Sequence, residues 1–174
     1  MVMAAAVALL SGVRAKADDA DQGHLFHNNE VSLDLFGTYL NQERHLSKIF
    51  DTSIRHGNFG GGVGLNYFPI QFVGVGVDTS FQTRQSDIVD HVAGNLILRL
   101  PIEVAHLAPY IFGGGGHKFD PIDQSFADAG VGLEVRFTRN IGMFGDVRYV
   151  WNTQTKPVGL HDEGLFRLGM KFAF

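Results

Sequence analysis

The 174-residue sequence contains no cysteine, which excludes a disulfide framework and any thiolate metal site. Proline is scarce, with 5 residues. Basic residues form no patch. The 14 bases and 18 acids are spread along the chain for a net charge of −4, which argues against a nucleic-acid partner. Beyond the N-terminus no stretch offers the roughly 18 apolar residues of a membrane-spanning helix. Mean hydropathy is close to zero, but that average hides any alternation in which apolar and polar faces cancel.

What is abundant is glycine, with 22 residues, and phenylalanine, with 15. Together with the shortage of proline, this favours β structure over a helical bundle.

The first ten residues are almost wholly apolar and are followed by Ser11, Gly12 and Ala15-Lys16-Ala17. An apolar run ending in A-x-A predicts a signal peptide over 1–17, cleaved after Ala17. No Lys or Arg precedes Arg14, so either the true start lies upstream or the signal is unusual. A short buried N-terminal helix is the alternative. Residues 18–29 then form a periplasmic segment, and 30–174 the folded domain.

Eight segments alternate with period two, each close to the length of a tilted membrane strand. They fall near 30–40, 56–68, 71–83, 90–101, 108–117, 126–138, 141–152 and 164–174. One face of each is uncharged: Val31, Leu33, Leu35, Gly37 and Tyr39 in the first, Val73, Val75, Val77, Thr79 and Phe81 in the third, Phe166, Leu168, Met170, Phe172 and Phe174 in the last. The fifth segment is ambiguous, because Tyr110 and Phe112 compete with Ile111 for one face. The two aromatics are assigned outward.

The opposite face carries Asp34, Asp78, Arg99, Glu134, Arg136, Asp146, Arg148, Arg167 and Lys171. Glycines interleave them, among them Gly60, Gly62, Gly64, Gly74, Gly76, Gly130, Gly132 and Gly169. An eight-stranded barrel is only wide enough inside for packed side chains. Long charged groups fit there if their neighbours are small and their charges pair. The glycine-bearing charged face is therefore the crowded interior, and the apolar face meets lipid. This predicts an all-β fold: an eight-stranded, antiparallel, up-and-down transmembrane β-barrel whose closure leaves no unpaired edge in hydrocarbon. Arg148 or Arg136 is expected to pair with Glu134, Asp146 or Asp34.

Connections alternate in length. Long polar ones run over Asn41–Arg55, Gln82–Asp90, Lys118–Ser125 and Asn152–Glu163, while short turns fall at Pro69-Ile70 and Arg139-Asn140. The turn Pro101–Leu107 is longer than this scheme wants. Long loops at one end and short turns at the other suit an outer-membrane barrel with both termini periplasmic. Outward aromatics gather at both ends: Tyr39, Phe81, Tyr149 and Trp151 near the loops, Tyr67, Tyr110, Phe137, Phe172 and Phe174 near the turns.

The last strand, Gly164-Leu-Phe-Arg-Leu-Gly-Met-Lys-Phe-Ala-Phe174, ends in Phe with apolar residues at alternate positions. It resembles the C-terminal signature of bacterial outer-membrane proteins. Ala108-Pro-Tyr-Ile-Phe-Gly-Gly-Gly-Gly116 and Asp146-Val-Arg-Tyr149 resemble strands of the small OmpA/OmpX-like barrel superfamily. The resemblance implies export through the periplasm to the outer membrane and contact with its lipids and lipopolysaccharide. It also implies recognition by the barrel-assembly machinery, with Phe174, Phe172 and Met170 as the signal.

Other chemistry is weakly supported. Gly113–Gly116 with His117-Lys118 lacks the Gly-Lys-Ser/Thr ending of a phosphate loop. His24, His27, His45, His56, His117 and His161 are scattered, so solvated loop histidines are expected rather than a metal site. Lipid A deacylases are similar in size and use a Ser nucleophile with a His base. Here His45-Leu46-Ser47 falls in a loop rather than on the lipid-facing wall. The expected protein is thus not an enzyme, needs no cofactor, and serves the envelope structurally or binds through its loops. The alternatives are a narrow pore for small solutes and a lipid A-modifying enzyme.

Overall fold

A computed structural model describes residues 24–41, 58–82, 91–119, 124–152 and 163–174. The expected signal peptide and the long connections, with His45, Ser47, His56 and His161, lie outside them.

Eight strands account for nearly all of the described chain: β1 (Glu30–Asn41), β2 (Asn58–Ile70), β3 (Val73–Gln82), β4 (His91–Arg99), β5 (Leu107–Lys118), β6 (Gln124–Arg136), β7 (Ile141–Asn152) and β8 (Glu163–Ala173). Each pairs antiparallel with its sequence neighbours, and β1 pairs with β8 to close the barrel. Closure satisfies the backbone donors and acceptors of both would-be edge strands. Among the described residues no helix is long and apolar enough to cross a membrane.

The turn end is built from local chemistry. Between β2 and β3 the register slips after Tyr67, at the position of Pro69, which has no N–H to give to a ladder. Between β6 and β7 the Thr138 hydroxyl accepts from Asn140 N–H at 3.3 Å and Ile141 N–H at 3.1 Å. The longer turn between β4 and β5 holds one 3₁₀ turn, Glu103–Ala105, inside an Ile102–Leu107 bridge.

Alternation sets the facing. Val75 (53%), Leu98 (44%) and Leu168 (64%) are exposed on the outer wall, whereas Glu134, Arg136 and Arg148 are each 1% exposed. A wall this apolar would be penalised in water and is matched by acyl chains. Exposed aromatics mark both rims: Phe81 and Trp151 at the loop end, Tyr67, Phe137 and Phe174 at the turn end.

Strand β5 faces opposite to expectation. Ile111 is exposed, Phe112 is buried, and Tyr110 reaches inward to bond Asp146. The reason is the partner strand: Tyr110 pairs with Gly132 and Phe112 with Gly130. A Cβ on Gly132 would lie 2.4 Å from Tyr110 Cζ, and one on Gly130 2.3 Å from Phe112 Cζ. The inner glycines of β6 are cavities that these rings fill. Tyr110 therefore does not belong to the turn-end girdle.

The same device recurs around the barrel. Phe68 fills the space beside Gly74, Phe36 that beside Gly62, and Phe126 that beside Gly116. The interior is thus aromatic as well as ionic. His27 also departs from expectation: it is buried at the turn end, not solvated, because the chain before β1 folds back into the barrel.

Candidate functional site: the filled lumen

The inward positions of all eight strands converge on the barrel axis, and their charges sort into two layers. The layer nearer the turns centres on Glu30. Arg99 grips it with both terminal nitrogens, at 2.9 and 3.3 Å, and Arg136 Nη2 adds a bond at 2.6 Å. Arg136 Nε also bonds Glu134, a neighbour two residues back on the same strand face. Lys171 Nζ lies 3.4 Å from Glu134 and 3.5 Å from Asp34. Both guanidinium groups also donate to turn carbonyls, Arg99 to Gln71 at 3.0 Å and Arg136 to Arg139 at 3.0 Å. Three acids thus face three bases, with the Arg99 guanidinium 3.8 Å above the Phe68 ring. Stacking of this kind suits a weakly hydrated planar cation.

The layer nearer the loops has two arginines. Arg148 bridges Asp78 at 2.7 Å and Asp128 at 2.9 Å. Arg167 holds Asp146 bidentately, at 2.8 Å on both sides, and reaches Asp78 at 3.2 Å. The Tyr110 hydroxyl donates to Asp146 at 2.7 Å. Asn95 donates to Asp78 at 3.1 Å, and Asn66 to Asp34 at 2.9 Å. His91 sits beside Ser80 at 3.0 Å and Asp78 at 3.8 Å. Above this layer Leu40, Phe126, Val150 and Leu165 are buried, and Lys118 pairs with Glu163 near the rim.

All nine charges read from the sequence meet in this lumen. Arg136 takes Glu134 as expected. Arg148 takes neither Glu134, Asp146 nor Asp34; it reaches Asp78 and Asp128 instead. Asp78 is 70 residues away on β3, and only closure brings it within reach. Two further members, Glu30 and Asp128, fall on the inner phase of β1 and β6. The alternation through Ser32 and Asp34, and through Gly130 and Glu134, carried that signal.

Between the layers remains a cavity of about 30 Å³, bordered by Asp34, Asn66, Asp78, Asn95 and Lys171. That is room for about two water molecules. Among the described residues, no group of three or more His, Asp or Glu side chains could hold a metal ion.

A closed eight-stranded barrel with a lipid-matched wall and an ionic interior is the transmembrane barrel class. Solved structures of that class share the fold. The N-terminal β-barrel domain of Pseudomonas aeruginosa OprF superposes with a TM-score of 0.61 at 18% identity, covering 85% of this chain and 99% of that one. Neisserial surface protein A gives 0.59 at 14% identity, over 83% and 96%. Ail, the attachment invasion locus protein of Yersinia pestis, gives 0.54 at 14% identity, over 84% and 99%. No family model and no curated protein matches the sequence.

Proposed function

We propose that this chain is a bacterial outer-membrane protein whose barrel is a closed wall, serving the envelope structurally and displaying its loop-end connections for binding. The supporting observation is the filled lumen: both charge layers are internally paired, and the cavity between them is about 30 Å³. Outer-membrane lipids and lipopolysaccharide are its surroundings on this reading. The barrel-assembly machinery is its assembly partner through Phe174, Phe172 and Met170. Phe174 and Met170 lie on the outer face, 61% and 37% exposed, where an incoming partner strand could read them. Export through the periplasm goes with the same reading. OprF, surface protein A and Ail, outer-membrane proteins of the same fold, support the location.

Reconstitution tests it. The refolded chain should migrate faster unheated than boiled in a detergent gel, and proteoliposomes should stay impermeable to sugars in a swelling assay. Swelling comparable to a porin control would replace this reading with the narrow pore. Altered lipid A mass in cells expressing the chain would replace it with the lipid A-modifying enzyme.

A further inference from the structure

The turn end of the barrel is closed by chain that belongs to no strand. Residues 24–29 precede β1 and fold back beneath the lumen. Phe26 is fully buried, its ring facing the Arg99 and Arg136 guanidinium groups at 5.0 and 5.2 Å. One carboxylate holds the segment by its backbone: Glu103 accepts from Leu25 N–H at 3.0 Å and Phe26 N–H at 3.2 Å. Nearer β1, Asn28 accepts from Gln71 N–H at 2.9 Å, and the Tyr67 hydroxyl donates to Asn29 at 3.0 Å. Asn29 then turns the chain up into the barrel at φ 57, a left-handed conformation asparagine tolerates.

Two features set this segment apart from the wall. Ladder pairing with β2 starts at Glu30, opposite Phe68, and one backbone bond, Asn29 N–H to the Pro69 carbonyl at 3.3 Å, is all that withdrawing residues 24–29 would take from that strand's backbone. The turn between β4 and β5 is also longer than the others at this end, and its additional 3₁₀ turn is what carries Glu103. Segments held outside the ladder by a few bonds open at the low end of a protein's local stabilities.

We propose that residues 24–29 are a releasable plug latched by Glu103. Seated, Phe26 shields the Glu30–Arg99–Arg136 layer from water. Released, it opens that layer to the turn-side compartment while the barrel stays closed. The proposal rests on the closed-barrel reading and adds to it an end that can open.

The absence of native cysteine makes a single reporter thiol unambiguous. In the refolded full chain, His27→Cys gives up the 3.3 Å contact of His27 with Glu30 but keeps the Glu103 latch, and should react slowly with a bulky water-soluble maleimide. Adding Glu103→Ala should speed that reaction about tenfold or more, since two hydrogen bonds to a carboxylate and its His24 contact at 3.7 Å are lost, with folded gel mobility unchanged. Ser80→Cys, in the loop-side half, should stay equally slow in both backgrounds. Amide exchange of the unmodified chain gives a second reading, in which Phe26 N–H exchanges far faster than Val147 N–H in β7. Equal labelling of position 27 with and without Glu103, or equal protection of Phe26 and Val147, would overturn the plug. So would exposure of positions 27 and 80 together with loss of the folded band. A chain that never shows the folded band would instead overturn the barrel reading itself.

Discussion

Phe112 occupies the space that a side chain on Gly130 would need: a Cβ there would lie 2.3 Å from its Cζ atom and 2.4 Å from the Val147 carbonyl oxygen. The two residues are opposite each other in the β5–β6 ladder. A ring and a missing side chain together make one close-packed unit.

Gly130→Ala should therefore destabilise the barrel by about 1–3 kcal/mol, the usual cost of overpacking an interior. Gly94→Ala is its control, since a Cβ on Gly94 meets nothing within 4 Å. Thermal melts in one detergent should show a clear drop for the first and none for the second. A neutral Gly130→Ala would mean that the lumen yields.

Arg148→Leu leaves the buried carboxylates of Asp78 and Asp128 short of their shared cation. Breaking a buried pair from one side costs about 3–5 kcal/mol, mostly through the stranded charge. Asp128→Asn placed on top should recover part of the loss, because Asp78 keeps Arg167. Denaturant titrations of both variants check the order. A double variant no better than the single would remove Asp128 from the network.

Leu168 sits mid-strand in β8, opposite Gly37 and Gly145, and is 64% exposed. Leu168→Arg should cost about 2–4 kcal/mol for folding into bilayers, as a cation near the midplane does on a barrel's lipid face. In a water-facing position the same change would be close to neutral. Folding titrations into phosphatidylcholine vesicles decide between them.

Facing along β5 can be checked directly. A thiol at Ile111→Cys should react with a lipid-phase maleimide, and one at Phe112→Cys should not. The reverse pattern would restore the outward aromatics suggested by the sequence.

The fold was legible because two-residue periodicity leaves each segment only one way to divide its side chains. Glycines marked the charged face as the crowded one. Reading failed where both faces of a segment were apolar, as around Ile111, since periodicity then has no sign. There the decision lay in the glycines of the neighbouring strand, Gly130 and Gly132. The plug was illegible for a different reason: residues 24–29 have no periodicity, and nothing local ties Phe26 to Glu103, 77 residues on.

The sequence by itself determined the strands, the charged interior and the lipid-facing wall, because alternation and residue size are local properties. Which acid each arginine holds was decided only by closure. Pairing β1 with β8 and staggering the strands brings Asp78 to Arg148 and Glu30 to Arg99 and Arg136. Those distances depend on register around the whole ring, which no single strand encodes.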